Sequence, residues 1–291
     1  MFRGSLTALI TPFANGKVDE TAFRKLVQWQ IDQGTEALVP CGTTGESPTL
    51  SHEEHMRVTE LCIAVAKGKV PVLAGTGSNS TAEAIGLTRH AKEAGADAVL
   101  VVTPYYNKPT QEGLYAHYKT IHDAVEIPIV IYNIPGRSVV DMSVETMARL
   151  AELPNVVGVK DATADLARPA RTRAALGADF VQLSGEDATI VPFLAQGGHG
   201  CISVTANVAP HHCADLHQAW RRGDLETVAR LNDRLMPLHL ALFAESSPGP
   251  VKYAASLLGL CENRLRLPMV SVKPETEAKV RDAMVHAGLI N

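Results

Sequence analysis

A lysine ends an apolar segment in the middle of the chain. Lys160 follows Val156-Val157-Gly158-Val159 and precedes Asp161. Such a run is typical of a strand that is buried on both faces, as in a parallel sheet. An ammonium group there is costly unless it is paired, hydrated or chemically used, and a desolvated lysine shifts toward the neutral amine that forms Schiff bases with carbonyls. Lys160 is therefore a candidate nucleophile, although an ion pair with a nearby acid such as Asp161 explains the same pattern.

Other chemically capable residues also follow apolar segments. Thr43 and Thr44, within Gly42-Thr-Thr-Gly-Glu46, offer hydroxyl and backbone N–H groups that suit a carboxylate. Tyr132 ends a buried run and is suited to proton transfer, and Arg137, after a Pro-Gly turn, is suited to a two-pronged contact with a carboxylate. Each pattern also fits an ordinary structural role: a turn, a core tyrosine with a satisfied hydroxyl, or a solvated arginine.

Strand-like and helix-like segments alternate through the first three quarters of the chain, and the unusual residues follow the strands. Eight strands are predicted, at Leu6–Ile10, Ala37–Pro40, Val70–Gly75, Ala98–Val102, Ile129–Asn133, Val156–Lys160, Phe180–Ser184 and Gly200–Val204. Amphipathic helices are predicted between them, for example at Glu20–Gln33, Ser51–Lys67, Thr81–Ala94, Gln111–Val125 and Ser143–Leu153. The predicted N-caps are Asp19, Ser51, Ser80 and Ser143.

The alternation predicts an α/β fold with parallel strands and right-handed crossovers. For 291 residues the best solution is a (β/α)8 TIM barrel, with a doubly wound open sheet as the runner-up. Residues 1–223 are predicted to form the catalytic barrel. Residues 224–291 lose the alternation and indicate helices alone, so we predict a C-terminal helical subdomain with helices at Leu225–Phe243, Val251–Leu258 and Glu275–Ala287.

In a barrel of this kind, functional residues lie at the carboxyl ends of the strands. The predicted strands place eight of the unusual residues at that end: Thr43, Thr44, Tyr105, Tyr106, Tyr132, Lys160, Gly185 and Ile202. This convergence favours a chemical role for Lys160 over a structural ion pair. The Tyr105-Tyr106 pair has a second interpretation as interface anchors.

Composition argues against several functional classes. The net charge is −4, and no basic stretch interleaved with aromatic residues appears, which argues against a nucleic-acid partner. No apolar run approaches the length of a membrane span. The 5 cysteines are scattered without a C-x-x-C motif, as in reduced proteins. With no signal-peptide pattern at the start of the sequence, we expect a cytoplasmic protein.

Three motifs suggest cofactors but are incomplete. Gly75-Thr-Gly77 has no third glycine for a dinucleotide fingerprint, and the histidines of His52-Glu-Glu-His55 have i, i+3 spacing instead of the i, i+4 spacing of a zinc motif. His211-His212-Cys213 with His217 lacks a compact set of four ligands and is interpreted as the surface of a helix start. None of the three motifs therefore predicts a metal or an organic cofactor.

Three motifs together resemble, in order and spacing, the pyruvate-dependent class I aldolase superfamily that includes N-acetylneuraminate lyase and dihydrodipicolinate synthase. They are Gly42-Thr-Thr-Gly-Glu46, Tyr132-Asn-Ile-Pro135 and Val157-Gly-Val-Lys-Asp161. The resemblance covers essentially the whole chain, since residues 103–109, 197–207 and 248–252 fit as well. Arg137 and the Tyr105-Tyr106 pair favour the dihydrodipicolinate synthase family, because lyases of sugar acids usually lack that arginine.

The resemblance implies condensation of pyruvate with L-aspartate 4-semialdehyde to 4-hydroxy-tetrahydrodipicolinate, the branch step toward diaminopimelate and lysine. Lys160 would form the imine with pyruvate, and Tyr132 would transfer protons. Thr43 would link Tyr132 to Tyr106, which in this family reaches in from the neighbouring subunit. The family's substrate-binding residues correspond to Thr44, Arg137, Ile202 and Gly185.

The resemblance also implies partners beyond the two substrates. A tyrosine shared between subunits makes a dimer necessary, and we expect a homotetramer built as a dimer of dimers. An L-lysine effector site is expected at the dimer interface, formed by Ser47, His52, His55, Asn79, Glu83 and Tyr105. Pro48 departs from the small residue often found beside Ser47 and is expected to stiffen that loop.

Three alternative functions remain open at this point. A sialate or 2-keto-3-deoxy-acid aldolase would use the same Lys160 chemistry. A non-catalytic effector-binding barrel would use Lys160 only as an ion-pair partner. A nicotinamide oxidoreductase is disfavoured by the incomplete glycine motif.

Overall fold

The computed structural model describes residues 2–291 of the chain. The β-strands are Gly4–Ala8 (β1), Phe13–Ala14 (β2), Lys17–Val18 (β3), Ala37–Val39 (β4), Leu73–Gly75 (β5), Ala98–Val102 (β6), Ile129–Asn133 (β7), Val156–Asp161 (β8), Val181–Ser184 (β9) and Gly200–Ser203 (β10). The first six α-helices are Glu20–Asp32 (α1), His52–Ala66 (α2), Thr81–Ala94 (α3), Gln111–Ala124 (α4), Pro135–Ser138 (α5) and Val144–Ala151 (α6). The others are Arg168–Leu176 (α7), Ile190–Ala195 (α8), Pro210–Arg222 (α9), Leu225–Ala241 (α10), Gly249–Leu257 (α11) and Pro274–His286 (α12). Short 3₁₀-helices lie at Ser47–Thr49, Asp187–Thr189 and Thr205–Asn207.

The strand order identifies the fold class. The eight longer strands belong to one parallel sheet in the order β4-β1-β10-β9-β8-β7-β6-β5. Apart from β4 and β5, which stand at the two ends of this order, strands of the sheet that are consecutive along the chain are neighbours in it, and β1 pairs with β10, as in a barrel. A doubly wound sheet would instead reverse its order in the middle. The predicted (β/α)8 fold is therefore confirmed, and helices follow it in the C-terminal part.

Two compact units divide the chain. Unit 1 is Val72–Ile202 together with the residues up to Arg3, and unit 2 is Gly4–Pro71 together with Ser203–Asn291. The boundary predicted at residue 223, between a barrel and a helical subdomain, stays a prediction.

In unit 1, the strand register sets the position of the candidate nucleophile. Tyr132 of β7 lies opposite Lys160 of β8, and the following pair is Asn133 opposite Asp161. Apolar side chains of β6, β7 and β8 are buried against helices α3, α4 and α6, so the end of β8 is held by a packed core. The helical contribution of α4 follows the i, i+4, i+7 spacing of one helix face, with Leu114, Tyr118 and Ile121.

In unit 2, β1 pairs in parallel with β4, with Leu6 opposite Ala37. Helix α1 packs on α2, and α10 and α11 pack on α12. Two buried hydrogen bonds meet at Gln30 in this unit. The Thr7 hydroxyl donates to Gln30 Oε1 at 2.7 Å, and the Gln30 amide donates to the Ala206 carbonyl at 2.7 Å. These bonds satisfy polar atoms that would otherwise be costly to bury.

The predicted helix starts are correct. The side chains of Asp19, Ser51, Ser80 and Ser143 each accept a hydrogen bond from the backbone N–H three residues later. At Ser51 the Glu54 carboxylate also accepts from the cap N–H, which completes a capping box. Strand ends differ from the prediction by one to three residues at β1, β4, β5, β8, β9 and β10.

A short hairpin that was not predicted from the sequence lies between β1 and α1. Strands β2 and β3 pair in antiparallel fashion across Asn15 and Gly16, which have φ values of 51° and 77°. Asn-Gly is the pair that favours this two-residue turn, so the signal was present in the sequence.

The interpretation of the histidine-rich helix start is partly wrong. Helix α9 begins at Pro210, and His211 is exposed, but Cys213 and His217 are buried because they lie on the inward face of the helix. Within residues 2–291 no group of three His, Cys, Asp or Glu side chains has the geometry of a metal site.

No helix within residues 2–291 combines the length and the apolar character that crossing a bilayer requires.

Two glycine substitutions test the packing of the strand that ends in Lys160. A Cβ atom on Gly158 would lie 2.5 Å from the Val181 carbonyl oxygen and 2.7 Å from the Val181 Cβ, so β8 and β9 would have to move apart. Gly158→Ala should destabilise the protein by about 1–3 kcal/mol in urea unfolding. On the exposed face of α3, Gly86 meets nothing within 4 Å, and Gly86→Ala should stabilise by about 0.5–1 kcal/mol. Equal effects of the two substitutions would contradict this packing.

Candidate active site

Lys160 is buried at the carboxyl end of β8. The residue is only 6% exposed, and its Nζ lies 4.0 Å from the centre of the Tyr132 ring. The ring face attracts the ammonium group by about 0.5–2 kcal/mol. Within unit 1 no carboxylate lies within ion-pair distance of Lys160.

The neighbouring acid, Asp161, has other partners. Its Oδ1 accepts hydrogen bonds from the Thr163 N–H at 2.8 Å and from the Thr163 hydroxyl at 2.7 Å, and its Oδ2 lies 3.4 Å from Arg168 Nε. Burial raises the pKa of Asp161, and the Thr163 bonds and the Arg168 charge oppose that rise. The alternative interpretation, in which Lys160 is the ion-pair partner of Asp161, is therefore wrong.

A buried polar network fixes the chain that follows β7. The Asn133 amide donates to Asp141 Oδ1 at 2.7 Å, and Asn133 Oδ1 accepts from the Met142 N–H at 3.0 Å. Arg168 donates to Asp141 Oδ2 at 3.1 Å and to the Met142 carbonyl. Both ends of the segment between Asn133 and Met142 are thus held by the same side chains.

Arg137 lies on this segment, in the short helix α5, and is exposed. The buried Ser138 hydroxyl donates toward the Ile134 and Val140 carbonyls at 2.9 and 3.0 Å, and it accepts from the Thr103 hydroxyl at 3.1 Å. The anchored backbone therefore presents the Arg137 guanidinium from a defined position toward solvent.

Gly185 lies against the nucleophile. A Cβ atom at this position would lie 2.7 Å from the Ala162 Cβ and 3.2 Å from the Lys160 Cε, so a larger residue would displace the lysine side chain. The Gly185 N–H donates to the Asp161 carbonyl at 2.6 Å. Glycine here keeps the space beside Lys160 open. Ile202, the last of the predicted substrate-binding residues in this unit, is buried in β10.

The next residue, Glu186, was not among the predicted site residues. Burial and the charge of Asp187 raise the pKa of Glu186, while the positive charges of Lys160 and Arg137 oppose the rise. Its carboxyl group is therefore within electrostatic range of both cations. Its place directly after Gly185 was the signal that the sequence offered.

Tyr105 and Tyr106 differ in environment. Tyr106 is 89% exposed and has φ of 73°, whereas Tyr105 is 36% exposed. Burial and the charge of Glu83 raise the pKa of Tyr105, and a hydrogen bond with the Asn79 backbone opposes the rise. Three predicted effector residues, Asn79, Glu83 and Tyr105, thus lie together in unit 1.

In unit 2, Thr43 and Thr44 lie in a folded turn after β4. The Gly45 N–H donates to the Gly42 carbonyl and the Glu46 N–H donates to the Thr43 carbonyl, both at 3.1 Å, while the Thr11 hydroxyl holds the Gly45 carbonyl at 2.7 Å. The hydroxyl and N–H groups of the two threonines form no hydrogen bond with other groups of unit 2. These donors suit a carboxylate ligand.

The other three predicted effector residues follow this turn. Ser47 begins the 3₁₀-helix, His52 begins α2 and is exposed, and His55 is buried in α2. The i, i+3 spacing places the two histidines on neighbouring positions of one helix face.

Unusual backbone conformations concentrate after the parallel strands. Of the seven described non-glycine residues with positive φ, six lie in loops that follow β4, β6, β7 or β8: Cys41, Glu46, Tyr106, Lys108, Val139 and Ala164. Such conformations are costly for residues with a Cβ and are found preferentially at functional sites. In each unit, the loops that carry or border the candidate residues therefore also contain left-handed non-glycine residues.

Comparison with known proteins supports the resemblance. Residues 1–287 match the Dihydrodipicolinate synthetase family. A 4-hydroxy-tetrahydrodipicolinate synthase from Rhodospirillum centenum is 72% identical over 290 residues, with 100% of both chains covered.

Solved structures of dihydrodipicolinate synthases are also similar to this chain. A dihydrodipicolinate synthase from Acinetobacter baumannii complexed with pyruvate has a TM-score of 0.97 and 47% identity, with 100% of both chains covered. A relative from Cyanidioschyzon merolae with lysine bound has a TM-score of 0.96 and 39% identity, with 99% of both chains covered. The resemblance inferred from the sequence is confirmed, and these names favour a synthase over a sugar-acid lyase. The chain belongs to the dihydrodipicolinate synthetase family.

Proposed function

We propose that this chain condenses pyruvate with L-aspartate 4-semialdehyde to 4-hydroxy-tetrahydrodipicolinate, a lyase-type reaction of diaminopimelate and lysine biosynthesis. The observation that carries the proposal is the Lys160 side chain, which is buried beside Tyr132 with no carboxylate partner in its unit. Membership of the family supports the same conclusion.

Lys160 supplies the electron sink. Its neutral amine adds to the keto carbon of pyruvate, and loss of water leaves a protonated imine. The pyruvate methyl group then loses a proton to give an enamine, which attacks the aldehyde carbon of the second substrate. The amino group of that substrate finally displaces Lys160 from the imine carbon and closes the ring. Tyr132, whose ring lies against the lysine, donates and accepts the protons of imine formation and cyclisation.

Two carboxylates have to be held for this reaction. The hydroxyl and N–H donors of Thr44 bind the carboxylate of pyruvate, and Ile202 and Gly185 are proposed as further pyruvate-binding residues. The guanidinium of Arg137 binds the carboxylate of the semialdehyde with two parallel hydrogen bonds. Thr43 joins Tyr132 to Tyr106 of a neighbouring subunit in the proton relay.

The proposal also includes the oligomeric state of the protein, its regulation by an effector and its location in the cell. The exposed ring of Tyr106 fits a residue that another subunit covers. We propose a homotetramer, a dimer of dimers, that is located in the cytoplasm. L-lysine binds to Ser47, His52, His55, Asn79, Glu83 and Tyr105 as an effector, as in a relative that was solved with lysine bound.

The covalent step is tested by trapping. Incubation with pyruvate and borohydride should inactivate the protein and add one reduced pyruvate to the peptide that contains Lys160. Lys160→Gln should abolish labelling and turnover, because glutamine cannot form an imine. Lys92→Gln, at an exposed position on α3, should leave both unchanged. Mass spectrometry that maps the adduct to another lysine would contradict the mechanism.

The role of Arg137 is tested by comparing how its substitution changes KM for the semialdehyde and how it changes trapping of pyruvate. Arg137→Ala should raise KM for the semialdehyde about 10- to 100-fold, since a charge-assisted two-pronged contact is lost, while pyruvate trapping persists. Arg137→Lys should recover only part of the loss. The control is Arg149→Ala, which removes a half-exposed arginine that pairs with Glu112. A semialdehyde KM unaffected by Arg137→Ala would argue for a different second substrate.

The effector site is tested with initial rates measured against L-lysine. Wild-type rates should fall, and Glu83→Gln should raise the half-inhibitory concentration about tenfold, because a carboxylate that pairs with an amino group is lost. Glu93→Gln, at an exposed position of the same helix, should behave as wild type. Flat rates across millimolar lysine would remove the effector from the proposal.

A further inference from the structure

The most deeply buried ion pair that the structure describes lies outside the residues assigned to substrates. Glu46 Oε1 and Lys252 Nζ are 2.7 Å apart, with side chains 2% and 0% exposed. Both residues belong to unit 2, and 206 positions separate them in the sequence. Lys252 lies on α11, whereas Glu46 ends the turn that carries Thr43 and Thr44.

The pair is well completed by its surroundings. Glu46 Oε2 accepts the Arg266 N–H at 3.0 Å, and Lys252 Nζ lies 4.1 Å from the centre of the Phe13 ring. Burial lowers the pKa of Lys252, and the Glu46 carboxylate opposes the fall. Removing two charges from water is expensive, and apolar residues of similar volume are often as stabilising. Stability alone is therefore a weak explanation for the pair.

The position of Glu46 suggests another role. Its backbone is left-handed, with φ of 55° and ψ of 37°, which is costly for a residue with a Cβ. Its N–H closes the turn on the Thr43 carbonyl at 3.1 Å. Glu46 therefore belongs to the same closed turn as Thr43 and Thr44.

The backbone on either side of Glu46 is held by other hydrogen bonds. On the preceding side, Thr11 holds the Gly45 carbonyl at 2.7 Å, and a Cβ on Gly45 would lie 3.0 Å from the Leu9 carbonyl oxygen. On the following side, Arg266 donates to the Thr49 carbonyl at 2.8 Å and pairs with Glu54. Between these two points, the Glu46 side chain restrains the residue that ends the turn.

We infer that the Glu46–Lys252 ion pair positions the Thr43-Thr44 turn for the carboxylate of pyruvate. The inference rests on the proposed function. Lys252 is in this sense a positioning residue: it acts through Glu46 and touches no substrate. The pair holds the strained turn in place before pyruvate arrives, so that binding costs no rearrangement of the donors.

The test measures the pyruvate concentration that gives half-maximal borohydride trapping, together with steady-state constants and thermal unfolding. Glu46→Gln and Lys252→Met each leave one buried partner uncompensated and should lower the melting temperature. Each should raise half-saturating pyruvate roughly 10- to 100-fold, with little change in kcat or in KM for the semialdehyde.

The double variant Glu46→Leu/Lys252→Met separates positioning from stability. It carries no uncompensated charge, so its melting temperature should recover toward the wild-type value. Half-saturating pyruvate should remain raised, because the restraint on the turn is still missing. Thr7→Val, which removes a buried hydrogen bond to Gln30 in the same unit, should lower the melting temperature without altering pyruvate saturation.

The inference is overturned if pyruvate saturation returns to the wild-type value in the double variant, or if Thr7→Val alters it as strongly as Glu46→Gln does. Failure of the proposed function looks different, since the wild-type protein itself would then show no trapping with pyruvate.

Discussion

The burial of one ammonium group without a carboxylate partner in its unit is the constraint on which the candidate site depends. Lys160 is buried at the end of a packed parallel sheet, and its Nζ lies over the face of the Tyr132 ring. A charge in such a place is poorly compensated. A buried amine that no carboxylate of its unit holds is available as the nucleophile that imine formation requires.

The polar side chains around Lys160 form hydrogen bonds and ion pairs with one another instead of with the lysine. Asp161, which is adjacent in sequence and carries the opposite charge, is bound by Thr163 and Arg168. Arg168 also reaches Asp141, and through it the segment that carries Arg137. Gly185 leaves the space that the Lys160 side chain occupies. These hydrogen bonds and ion pairs hold the backbone in place, and because they occupy Asp161 they leave Lys160 without a carboxylate partner in its unit.

Two buried lysines illustrate how partners determine role. Lys252 is less exposed than Lys160, but it has a carboxylate 2.7 Å away and is therefore suited to hold a backbone turn. Lys160 has an aromatic face in place of a carboxylate and is suited to react. The same side chain is suited to a structural role in one place and to a chemical role in the other, because the charged groups around it differ.

The alternation of apolar runs and helical patterns was sufficient to predict the barrel, its helix caps and the placement of Lys160, Tyr132 and Thr44 at or after the ends of strands, since periodicity and strand direction are local properties. Tertiary structure alone decided which charges pair. Nothing near Lys160 in the sequence shows that Asp161 turns to Arg168, and no local pattern joins Glu46 to Lys252, 206 residues away. Ion pairing depends on distances of a few ångströms between segments remote in sequence, and only the packed fold sets those distances.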